Sequence, residues 1–277
     1  MNRYIKLVNF ELKRFMKVYL ALIVITILAQ TAGVILTANE YLGRANKAIY
    51  EELVPATQFI EQYGQFSFLN IARTTWFMGP IALSAAALIF YIFMIWYRDW
   101  FGKNTFIYRL LMLPTARLNV LLSKATSIFL MVLGLVSVQY ILLPFETAIM
   151  NWRVPAEFRA DLPIQEIIQN FPYLSILLPQ SFLEFVLYYG AGFMVITMLF
   201  AAILFERSFR WKGILIGVGY VVLSAVVFLT PLLTILFTGE DYLYPLEMLA
   251  AEIILGVVVM CFSIWLGNHL LNKKITV

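Results

Sequence analysis

An all-α integral membrane protein with about six transmembrane helices is the fold class this sequence predicts, on three observations. Of its 277 residues, 62% are hydrophobic and only 13% are charged, where a soluble domain carries about a quarter charged residues. The apolar residues gather into six long uncharged runs, a clustering that a globular core does not need. Lysines and arginines concentrate in alternate segments between those runs, as membrane topology requires.

A helix needs about 20 residues to cross a hydrocarbon core. The six runs lie at 18–36, 76–96, 125–143, 183–205, 214–237 and 246–266. They are continuously apolar and do not alternate as barrel strands do. With their connections they form a single transmembrane domain, 1–277.

Ahead of the first run, Ile5, Val8, Leu12, Phe15 and Tyr19 recur at helical spacing, with Arg3, Lys6, Lys13 and Lys17 on another face. This predicts an interfacial helix over 1–17, apolar side in the acyl boundary and basic side toward anionic headgroups. Glu11 interrupts the basic stretch and no small-residue cleavage pattern follows, so it reads as part of the mature protein and not as a signal peptide.

One set of segments carries Arg3, Lys6, Lys13, Arg14 and Lys17, then Arg98, Lys103, Arg109, Arg117 and Lys124, then Arg207, Arg210 and Lys212, then Lys273 and Lys274. The alternating set carries only Arg44, Lys47, Arg73, Arg153 and Arg159. The basic set faces the cytoplasm by the positive-inside rule. Both termini are therefore expected there. Trp76, Trp96, Trp100, Trp152 and Trp211 sit near the proposed boundaries, where amphipathic rings prefer to lie.

Two outer connections are longer, Asn39 to Thr75 and Glu146 to Ser181. They are rich in Tyr, Phe and Pro, and short surface helices such as 45–62 are expected in them. They read either as ordered connections or as a lid over an exit path. Glu240 and Asp241 mark the short outer loop before the last span. Pro231 should kink or break the fifth helix near its outer end. Gly213 and Gly217 form a GxxxG, continued by Gly219, which lets helix backbones approach closely.

Chemistry-bearing residues are few. Glu184 and Glu252 lie near the outer ends of their helices, where a carboxylate reaches water or headgroups; an ion relay is the competing reading. His269 is the lone histidine, so this chain cannot supply a HExxH zinc site. Cys261, the lone cysteine, reads as a small buried hydrophobe. Gly102-Lys103-Asn104-Thr105 resembles a phosphate loop only faintly, because Tyr97 and Asn104 replace the required glycine and hydroxyl. The chain has no ATPase motif and is expected to be neither an enzyme nor a binder of cofactors; an intramembrane enzyme that uses His269 beside a serine is the third reading. Nothing in it points to nucleic acid.

The segment 97–118 is the most informative. It is a short amphipathic stretch that includes Arg98-Asp99, Lys103, Arg109, Leu110-Leu111 and Arg117 and is closed by Pro114, with Lys124 just beyond. Here the chain resembles the ABC-2 family of ATP-binding-cassette permeases. In that family an acidic residue, Gly, Thr, a Leu-Leu pair, Pro, Arg and Lys mark the loop that docks on the ATPase. Asp99, Gly102, Thr105, Leu110, Leu111, Pro114, Arg117 and Lys124 stand at those positions. The basic tail Leu271-Asn272-Lys273-Lys274 and the N-terminal elbow helix also match. The short connection between the fifth and sixth spans departs from the pattern.

The resemblance implies a permease subunit in a bacterial plasma membrane. Two such chains, identical or paralogous, would pair around a pathway, and two ATPase subunits holding ATP and Mg would bind beneath. Asp99 to Leu113 would be the coupling helix, with Arg109 among its contacts; Glu206, Arg207 and Arg210 would make a secondary contact. The cargo would be amphipathic or hydrophobic, such as an antimicrobial or toxin peptide. A sodium or drug exporter on the same scaffold, and a non-transporting assembly or sensory subunit, are the alternatives.

Overall fold

The computed structural model describes residues 2–101, 106–238 and 244–275. Gly102, Thr105, Glu240 and Asp241 lie outside the described residues. Among the described residues the chain is helical, with one isolated β-bridge and no strand. Six helices are long and apolar enough to cross a membrane. They are α1 (Asn2–Tyr50), α4 (Thr75–Phe101), α6 (Arg117–Arg153), α9 (Phe182–Phe209), α10 (Trp211–Phe228) and α12 (Pro245–Lys273). Between them lie α2 (Ala56–Tyr63), α3 (Phe68–Ala72), α5 (Phe106–Leu111), α7 (Ile164–Gln169), α8 (Pro172–Leu177) and α11 (Thr230–Thr238). Leu215, Val218, Leu223 and Leu236 are among many large apolar side chains left exposed. A surface of that kind suits hydrocarbon and not water.

The six spans follow the six apolar runs, with three differences. The stretch 1–17 is not a separate interfacial helix: α1 is continuous for 49 residues. No glycine or proline lies between Lys13 and Phe15 or for many residues after, so nothing local terminates the helix. At its other end α1 continues past Leu36 to Tyr50, and Glu40 and Arg44 pair across one turn at 2.5 Å. The expected short helix at 45–62 is thus divided between the end of α1 and α2. The third span also overruns its apolar run, to Arg153. The fifth stops at Phe228, and α11 begins at Thr230 with Pro231 in its first turn, as the proline predicts.

The chain divides into two compact units: one of Met1–Arg14, Leu88–Met131 and Ser181–Val277, the other of Phe15–Ala87 and Val132–Gln180. In the first, α9, α10 and α12 pack together. A Cβ on Gly213 would stand 2.1 Å from the Phe205 carbonyl oxygen, and one on Gly217 would stand 2.9 Å from that of Ala202. The GxxxG therefore brings α10 against the backbone of α9 within one chain. Tyr220 and Ser263 join α10 to α12 through a 2.6 Å hydroxyl contact. Arg210 alone separates α9 from α10, at φ 54° and ψ −131°. For a side chain larger than glycine this conformation is strained.

In the second unit, both long connections are folded. Val34 and Ala38 of α1, Phe77 of α4, and Leu143 and Met150 of α6 share a core with Phe68 and Ile71 of α3, Ile167 and Ile168 of α7, and Leu174 of α8. Phe66 and Arg159 form a parallel bridge between the two connections. Its bonds run from Phe66 N–H to the Phe158 carbonyl at 2.8 Å and from Ala160 N–H to the Phe66 carbonyl at 2.9 Å. Gln30 donates from Nε2 to the Phe77 carbonyl at 3.1 Å and to Gln139 Oε1 at 3.0 Å, linking α1, α4 and α6.

Candidate functional site

In the first unit the start of α1, the end of α4 and the start of α6 meet through five charged side chains. Lys124 Nζ lies 2.5 Å from Asp99 Oδ2, 2.6 Å from Glu11 Oε1 and 3.1 Å from the Ile95 carbonyl. Asp99 accepts a second bond from Arg14 at 2.7 Å, and Glu11 accepts one from Arg98 at 3.1 Å. Lys124 and Asp99 are 0% exposed and Glu11 is 2%. A buried ammonium needs this much compensation, since isolating it from water costs several kcal/mol. Two carboxylates face three cations, and the rings of Trp96, Tyr91, Phe10 and Phe106 take up part of the excess. Lys124 lies 5.3 Å from the Trp96 ring centre, Arg98 5.7 Å from that of Tyr91, and Arg14 5.0 and 5.3 Å from those of Phe10 and Phe106.

The chain between Asp99 and Lys124 contains α5. Ile107, Leu110 and Leu111 are buried, while Arg109, Met112 and Pro114 are exposed. The Pro114 carbonyl accepts a bond from Arg3. Phe106 stacks on Phe10 with ring centres 5.8 Å apart. An apolar groove of about 370 Å³ lies between α5 and the first turns of α1, bordered by Arg3 and Lys6.

The residues singled out by the docking pattern therefore fall into three groups. Arg109 is open to solvent. Asp99, Leu110 and Leu111 are interior. Arg117 is committed elsewhere, donating to the carbonyls of Leu271 and, at 2.9 Å, Ile275 at the end of α12. Of the secondary set, Glu206 accepts a bond from the Tyr97 hydroxyl, and Arg207 lies 4.6 Å from the ring centres of Tyr97 and Phe101. Arg210 is exposed at the α9–α10 junction.

His269 stacks on Trp265 at 5.6 Å, and Cys261 is exposed on α12 instead of buried. Among the described residues no group of His, Cys, Asp and Glu is placed to hold a metal. The contacts within the cluster are ionic: they clamp three helices together, and parting them leaves buried charge unpaired at high cost.

The roles of Glu11 and Lys124 in this cluster are not readable from motif spacing. The available signal was scarcity. Glu11 is the sole carboxylate before Glu40, and Asp99 the sole one between Glu61 and Glu146. An isolated acid among basic residues, next to an apolar run, calls for a specific partner. Compared with known protein families, characterised proteins and solved structures, the chain matches none.

Proposed function

We propose that this chain is the permease subunit of an ABC exporter, moving an amphipathic or hydrophobic substrate with energy from ATP hydrolysed in separate ATPase subunits. In this reading two permease chains pair, both termini face the cytoplasm, and α5 and its flanks are the docking element. One observation carries the mechanical side of it. Asp99 precedes α5, Lys124 follows it, and the two are joined inside the protein. A push on the exposed face of α5 is thus passed directly to α4, α6 and the start of α1. Passing a partner's movement to transmembrane helices requires such a rigid coupling between discrete packings. The docking sequence supplies the kind of partner.

The test is purification of the chain in mild detergent from its host, with mass spectrometry of the proteins retained. The expected result is a soluble ATPase with a Walker motif at one copy per membrane chain, lost on Arg109→Glu while the helical content stays unchanged. Reproducible absence of any ATPase from an intact preparation overturns the proposal.

A further inference from the structure

Glu146 lies inside α6, in the second unit, 1% exposed, and neither carboxylate oxygen has a hydrogen-bond partner. It is flanked on its own helix by Leu143 and Met150, which belong to the core shared with α1, α3, α4, α7 and α8. Seven residues earlier on the same face, Gln139 is also buried, with its Nε2 unpartnered, as is Oε1 of its partner Gln30. A polar track thus runs along one side of α6 through an otherwise apolar core.

The surrounding elements offer Glu146 no counter-charge. On α1, Glu40 pairs with Arg44 at the surface, Lys47 and Tyr50 are exposed, Tyr41 donates to the Gly64 carbonyl, and the Tyr19 hydroxyl lies against Gly134. The stretch of α4 in this unit and α3 carry no titratable side chain, and Arg73 after α3 is exposed. Glu166 of α7 and Tyr173 of α8 are exposed, as are Tyr140 and Arg153 of α6. Arg159 is engaged by Asp161 and by the carbonyls of Asn151 and Val154. An ionised carboxylate in this position would have neither water nor a cation, a far more costly state than a neutral acid.

We propose that Glu146 is a proton-binding site of the second unit, and that its proton is released only when this part of the unit opens to water. The proton passes from the carboxyl to incoming water, leaving a carboxylate that the closed packing cannot hold. The closed state therefore binds one proton more than the open one, and raising the pH favours opening. The proposal goes beyond the permease reading and does not rest on it.

The test uses the full chain in lipid nanodiscs. Infrared spectra of the native protein and Glu146→Gln should differ at neutral pH by the C=O stretch of one protonated carboxyl. Above the pH where that band fades, amide exchange in α6 and α8, corrected for intrinsic rates, should accelerate about tenfold per pH unit in the native chain. It should stay flat in Glu146→Gln, whose amide reproduces the neutral acid. Absence of the band at pH 6, or the same pH response in both proteins, overturns the proposal. So does failure of Glu146→Gln to fold, because a neutral isostere would then not satisfy the site.

Discussion

Lys124 Nζ stands 2.5 Å from Asp99 Oδ2 with both side chains fully buried, although 25 residues and the whole of α5 separate them. The pair closes a loop at its base. It turns two charges that the sequence assigns to a docking surface into an interior fastening.

Removing one charge of that fastening should be severe. Lys124→Met leaves Glu11 and Asp99 close together without their ammonium, and a loss of about 3–5 kcal/mol is expected. Lys124→Met combined with Asp99→Leu should cost less than the sum of the two single changes. Unfolding in detergent micelles, followed by circular dichroism, measures both. A loss below about 1 kcal/mol for Lys124→Met would contradict burial of the pair.

The Gln30–Gln139 pair makes a different prediction, because both partners are neutral. Gln30→Leu strands the Gln139 amide in the core and should cost about 1–3 kcal/mol. Replacing both by Leu should recover most of that loss. Equal destabilisation by the single and double variants would mean that shape, and not the hydrogen bond, holds α1 to α6.

The glycines of α10 should separate sharply. Gly213→Ala drives a methyl into the Phe205 carbonyl and Gly217→Ala into that of Ala202, so both should loosen α9 from α10 and lower the melting temperature. Gly219 has open space where its Cβ would be, and Gly219→Ala should be neutral or stabilising by up to about 1 kcal/mol. If Gly219→Ala were instead the damaging change, the face carrying it would be pressed against a second chain.

Arg117 caps the far end of the sequence. Arg117→Ala frees the Leu271 and Ile275 carbonyls, and faster amide exchange is expected over the last turn of α12 with α9 and α10 unaffected. If the resemblance to a docking arginine describes its whole role, binding of the ATPase would fall while exchange at that turn stayed as in the native chain.

The six long apolar helices were legible because hydropathy reports the match of a helix to lipid, and Pro231 announced the end of the fifth. Hydropathy is silent once a helix leaves the hydrocarbon. Residues 39–44 and 146–153 therefore read as parts of the outer connections, although the core around Ala38 and Met150 keeps them helical. Glu146 was hidden by the same error: placed in a loop, it drew no attention. The ion cluster escaped for another reason. Glu11 and Lys124 are 113 residues apart, and attraction at such separation leaves no periodic trace. Asp99, Leu110 and Leu111 were noticed as parts of a docking pattern, and a sequence does not say which face of a short helix is covered.

The bridge between Phe66 and Arg159 fixes two connections that are far apart along the chain into a single folded surface. An antibody that binds this end of the protein in its native form should therefore recognise a discontinuous epitope, with residues from both stretches. Peptides copied from either stretch alone would be poor immunogens for it. Denatured blots would miss what the folded protein in mild detergent or nanodiscs reveals.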